Sequence, residues 1–120
     1  MDRDSTAQHW LLRASAVLGR VTGAETRFSA SISLNDITML AAADQLEVAT
    51  REAAVWTAAN PCPDQELGGR VTLMLSTCAE VALTAQWAIT DPAADTDMVV
   101  DRLGDLLAII DFHSQTLDAW

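Results

Sequence analysis

The chain has 120 residues and a formal charge of −10 at pH 7, from 17 acidic residues against 7 basic ones. This length is typical of one domain with a single hydrophobic core. All seven basic residues are arginines scattered along the chain, whereas phosphate backbones and anionic lipid surfaces require clustered positive charge. Nucleic acid and membranes are therefore excluded as expected partners.

Half of the residues are hydrophobic, which is a large share for so short a chain. A small domain leaves much of its surface in water, so part of this apolar content is expected to remain exposed. We therefore predict a homodimer or a complex with another protein. The first residues, Met1-Asp2-Arg3-Asp4, resemble no signal peptide, and no apolar run is long enough to span a membrane. The expected location is the cytoplasm.

The first helix is predicted over about residues 5–22. Its apolar positions are spaced four and three residues apart, which places them on one face of a helix, and Gly23 is expected to end it. These positions are Ala7, Leu11, Ala14, Leu18 and Val21.

The pattern changes at about residues 27–33, where Phe28, Ala30 and Ile32 alternate with serines. Alternation with period two is typical of an extended chain with one apolar edge. A single strand leaves its backbone unpaired, so the segment either packs on the bundle, pairs with its copy in a dimer, or binds another chain. Phe28 and Ile32 are therefore predicted interaction residues.

Three further helices are predicted over about residues 34–59, 65–90 and 96–119, separated by Asn60-Pro61-Cys62-Pro63 and by Asp91-Pro92. Each has one apolar seam, and a flanking stripe is expected to broaden the buried face of the second helix. That stripe consists of Ala41, Val48, Val55 and Ala59. The sequence thus predicts an all-α four-helix bundle, with one domain over residues 1–120.

His113 occupies a seam position of the fourth helix, and its two ring nitrogens need partners if the ring is buried. A satisfied interior histidine is the ordinary interpretation. The alternative is a small apolar or aromatic ligand in the bundle core near His113, with Trp120, His9 and Trp10 as further ligand-binding residues.

Asp97, Asp101 and Asp105 follow one another at four-residue spacing and form an acidic row on the fourth helix. Such a row is usually solvated, but it also suits a basic surface on a partner. These three aspartates are therefore further interaction candidates.

Cofactor and metal chemistry find little support in the sequence. Di-iron bundles require Glu-x-x-His motifs, which are absent, and the cysteines and histidines lack the short paired spacing of zinc sites. Cys62 and Cys78 are expected to lie roughly 20 Å apart as free thiols, because a helix separates them. We predict no cofactor and no metal.

The leading hypothesis is a non-enzymatic, self-associating interaction or regulatory module, and an enzyme using His9, His113 and Cys62 ranks third.

Overall fold

The computed structural model describes residues 3–120 and has the predicted all-α architecture of a four-helix bundle. Its helices are α1 (Arg3–Ser31), α2 (Asp36–Ala59), α3 (Gln65–Thr90) and α4 (Thr96–Asp118). The predicted bounds of the last three helices are confirmed to within two residues. Met1 and Asp2 belong to the N-terminal segment that is predicted not to be a signal peptide, and they lie outside the described residues.

Side-chain caps explain where three helices begin. Asn35 Oδ1 accepts a hydrogen bond from the Thr38 amide at 2.9 Å, and Asp64 Oδ1 accepts one from the Leu67 amide at 3.0 Å. Asp95 caps α4 through the Asp97 amide in the same way. Each cap satisfies an amide that has no partner within its own helix, so neighbouring side chains determine these starting points.

The predicted extended segment at residues 27–33 is wrong, because α1 continues to Ser31 and Gly23 does not end it. Val21, Ala24 and Phe28 prolong the buried stripe at helical spacing, and Phe28 is 0% exposed. The Ser31 hydroxyl donates to the Phe28 carbonyl at 2.6 Å, as serines inside helices often do. Burial of the phenyl ring therefore outweighs the weak local alternation with serine.

Consecutive helices run antiparallel, and α1–α2, α2–α3 and α3–α4 pack closely. The fourth neighbouring pair, α1 and α4, approaches far less closely, so the bundle has one loose seam. The whole measures 55 × 21 × 19 Å. None of the helices in residues 3–120 combines the length and apolar character needed to cross a bilayer.

The core runs the length of the bundle, and its fully buried large side chains come from all four helices. They include Phe28, Leu46, Leu67, Met74, Leu103, Leu106 and Ile110. The expectation that a flanking stripe broadens the buried face of α2 is wrong, since Val48 and Val55 are 50% and 66% exposed. That stripe lies on the outer surface of α2, where Val48 borders a shallow groove shared with Arg20 and Ala24 of α1.

Candidate functional site

The predicted ligand-binding residues lie at one end of the bundle, where the beginning of α1 meets the end of α4. Gln8 donates a hydrogen bond to the Trp120 carbonyl at 3.3 Å, which joins the two helices there. Trp10 is buried, its indole N–H donates to the Asn60 carbonyl at 2.8 Å, and its ring lies 5.6 Å from that of Trp56. Trp10 therefore connects α1 to the end of α2 through a hydrogen bond and a ring contact.

His113 is half-buried on α4, and its ring packs edge-on against Phe112 at 5.5 Å. Its Nδ1 atom is buried without a hydrogen-bond partner among the described residues. His9 is exposed on α1, and neither histidine lines any of the five grooves described for this surface. A small apolar ligand held near His113 remains a prediction.

The predicted interaction residues of segment 27–33 have different surroundings from those expected. Phe28 is enclosed in the core and offers no surface to a partner. Ile32 is half-buried and lines a groove at the other end of the bundle, beside Met39 and Leu103. Because the segment is not extended, it has no free strand edge for pairing.

Asp97, Asp101 and Asp105 are all exposed on the outer face of α4, as their spacing predicts. Arg102, which lies within this row in the sequence, instead reaches α3 and pairs with Glu80 at 2.6 Å. The row therefore keeps its charge facing solvent. Whether it meets a basic partner remains a prediction.

A buried polar cluster that no sequence pattern predicted lies in the middle of the bundle. Its members come from all four helices: Glu25 from α1, Thr50 from α2, Cys78 from α3 and Asp111 from α4. Glu25 is 8% exposed, Thr50 5% and Cys78 0%, while Asp111 is exposed at the rim. The carboxyl group of Glu25 contacts that of Asp111, and the Thr50 hydroxyl lies against the Cys78 thiol.

Burial, together with the neighbouring Asp111 carboxyl, raises the pKa of Glu25 from 4.5 to about 7. Two carboxyl groups in contact require a shared proton to form a hydrogen bond. Burial, with a further contribution from the charge of Glu25, raises the pKa of the Cys78 thiol to about 12. Cys78 is therefore a protonated, chemically inert thiol.

Both cysteines are free, as predicted. Burial raises the pKa of Cys62 as well, and this thiol packs against the first turn of α3 at Gly68. The backbone amides of Asp64 and Gly68 donate hydrogen bonds to this thiol and lower its pKa, but burial outweighs them, so the structure does not activate Cys62 as a nucleophile. Among the described residues, no three histidine, cysteine or acidic side chains are grouped as metal ligands.

The outer surface of the α2–α3 hairpin carries a groove of about 450 Å³. Its walls are mostly small or apolar side chains, and Glu47 and Arg51 supply its charge. The remaining lining residues are Thr50, Ala54, Thr57, Thr72, Leu75, Ser76, Ala79 and Leu83. The small side chains leave space in which another helix can approach closely.

No family model, curated protein or solved structure matches the chain.

Proposed function

We propose that the chain is a protein-interaction module that self-associates through the α2–α3 groove. The observation that supports this proposal is a groove of about 450 Å³ with small and apolar walls on the outer face of a helical hairpin. Contiguous apolar surface of this kind on a small domain is typical of a protein interface. The groove lies on regular helices, so its shape requires no rearrangement before docking.

The surroundings of the groove extend the apolar surface. Leu83, which lines the groove, is 62% exposed. Trp87, one turn further along α3, is 50% exposed. Burying such exposed apolar side chains against a partner is favourable, because each Å² of apolar area removed from water contributes about 25 cal/mol to the free energy of association.

A second copy of the chain is the occupant that the charges of the groove favour. The chain carries −10 overall, so two copies repel unless they meet at a nearly neutral face. The groove has one basic and one acidic residue, Arg51 and Glu47, which form an ion pair within α2. In a two-fold dimer each residue of a contact meets its counterpart reciprocally, so Arg51 of each copy can pair with Glu47 of the other.

The size of the hairpin is adequate for such a dimer. The 24 residues of α2 span about 36 Å at 1.5 Å per residue, and two packed helices present a face about 20 Å wide. The resulting area of about 700 Å² is close to the 800 Å² per partner of a standard interface. The outer face of the hairpin is therefore large enough for a specific complex that is centred on the groove.

Sedimentation velocity at about 1 to 100 µM tests the proposal, a range that detects dimers of micromolar affinity. Ala54→Glu places a charge in the groove, and Ala16→Glu is the matched control on the exposed surface of α1. We expect the unmodified chain and the control to be dimeric and the groove variant to be monomeric. A monomeric unmodified chain, or equal behaviour of the two variants, would overturn the proposal. So would a monomer whose groove binds the apolar dye ANS but no second copy.

A further inference from the structure

A carboxyl group inside a helical bundle destabilises the fold when it is ionised, because burial of an unpaired carboxylate costs several kcal/mol. Glu25 is only 8% exposed and is surrounded by the buried stripes of α1 and its neighbours. Its partner is another acid, Asp111, rather than a cation. The pair is therefore favourable when one proton is shared between the two carboxyl groups and unfavourable when both groups are ionised.

The groups that face Glu25 come from the other helices. Asp111 of α4 contacts its carboxyl group, and the Cys78 thiol of α3 lies close enough to feel its charge. The α2 helix contributes the uncharged hydroxyl of Thr50, which lies against Cys78. Asp111 is thus the acid to which the protonation state of Glu25 is directly coupled.

The two carboxyl groups join α1 to α4, which is the loose seam of the bundle. Along this seam the helices are also separated by two grooves that share Leu11, Ser15, Leu117 and Asp118. The backbones of α1 and α4 approach each other closely at few positions, so a change in one polar contact between them has a large effect on this seam.

We propose that Glu25 and Asp111 form a proton-dependent latch between α1 and α4. With one proton shared, the carboxyl groups hydrogen-bond and hold the helices together. When that proton leaves to solvent, both groups are anionic, their repulsion separates α1 from α4, and water gains access to the seam. The rise in the pKa of Glu25 to about 7 places this change near neutral pH.

Hydrogen–deuterium exchange tests the latch, with rates expressed as protection factors so that intrinsic exchange at each pH cancels. In the unmodified chain, we expect protection of residues 18–29 and 104–114 to fall at least about tenfold between pH 5.5 and 8. Protection within α2 and α3 should change far less. Glu25→Gln keeps a hydrogen-bond donor toward Asp111 without a titrating proton, so its seam should stay protected at both pH values.

Glu52→Gln is the matched control, since it removes the same charge from an exposed position of α2 that pairs with Arg20. It should behave like the unmodified chain. If Glu25→Gln does not fold, Asp111→Asn at the exposed side of the pair removes the repulsion and should also give a pH-independent seam. The proposal fails if the seam of the unmodified chain is equally protected at both pH values. The proposal also fails if protection falls equally in all four helices between the two pH values. It fails as well if the seam loses the same protection in Glu25→Gln as in Glu52→Gln.

Discussion

Glu25 on α1 and Asp111 on α4 bring two carboxyl groups into contact across the helix pair that packs least closely. The other three neighbouring helix pairs pack closely along their length, whereas α1 and α4 approach each other closely at few positions. The bundle thus has a centre whose stability follows pH, at a position where an apolar side chain is the ordinary choice.

Stability should decrease as pH rises from about 4.5 to about 7. In this range the folded chain retains the proton on Glu25, whose pKa is about 7, while the unfolded chain loses it near the ordinary value of 4.5. The folded state therefore binds more protons, and the free energy of unfolding falls with pH. At about 1.4 kcal/mol per pKa unit, the total loss is on the order of 3 kcal/mol. Urea denaturation across this range measures it.

Comparison with Glu25→Gln isolates this contribution. Other carboxyl groups act in the opposite direction; the amide of Gln86, for example, lowers the pKa of the half-buried Glu47. Their effects are common to both proteins and cancel in the difference. Residue 25 cannot ionise in the variant. The unfolding free energy of the variant minus that of the unmodified chain should therefore grow from pH 4.5 to pH 7 and then level off. A difference that stays constant with pH would contradict this prediction.

The two cysteines should differ sharply in reactivity. Cys78 is 0% exposed with its pKa raised to about 12, whereas Cys62 is half-buried in the connection between α2 and α3. Titration with a thiol reagent such as DTNB at pH 7.5 should modify Cys62 first, and Cys78 only after denaturant is added. Cys62→Ser should abolish the reaction of the native protein. Two thiols reacting at equal rates in native protein would show that the core opens readily.

The seams and the strong caps made the helices predictable from sequence. Asp64 precedes an uninterrupted apolar stripe, and Pro61 and Pro63 prevent helix across the connection, so the start of α3 follows from local chemistry. The end of α1 could not be obtained in this way. The alternation at Phe28 and Ile32 fits a strand locally, and only the core built by the other helices decides that Phe28 continues a helical stripe.

The sequence patterns did not predict the buried cluster, for a related reason. Glu25 lies at helical spacing from the core positions Val21 and Phe28, but a single polar residue on an apolar face is also compatible with a helix boundary. Its coupling to Asp111 joins positions on the first and last helices, and no local spacing encodes that contact. By contrast, the exposure of Asp101 follows directly from the four-residue repeat of the acidic row.

Replacing Phe28 by alanine should destabilise the fold rather than weaken an assembly. The ring is fully buried, and truncation of a buried phenylalanine costs about 3–5 kcal/mol. Leu34→Ala is the control in the adjoining connection, where the side chain is 65% exposed and the expected change is within about 0.5 kcal/mol. Urea denaturation of both variants at one pH measures the difference. Similar small losses in both would favour the exposed, extended segment that the structure rejects.

Asp64 should be the most sensitive of the helix caps. It is 3% exposed, and its carboxylate accepts a hydrogen bond from the Leu67 amide at the start of α3. Asp64→Ala leaves that amide unsatisfied in a buried position, with an expected loss of about 1–2 kcal/mol in unfolding free energy, measured by urea denaturation. Asp64→Asn keeps an acceptor oxygen and should lose less. Since asparagine lacks only the charge, equal losses in the two variants would assign the stabilisation to electrostatics at the helix start instead of to the hydrogen bond.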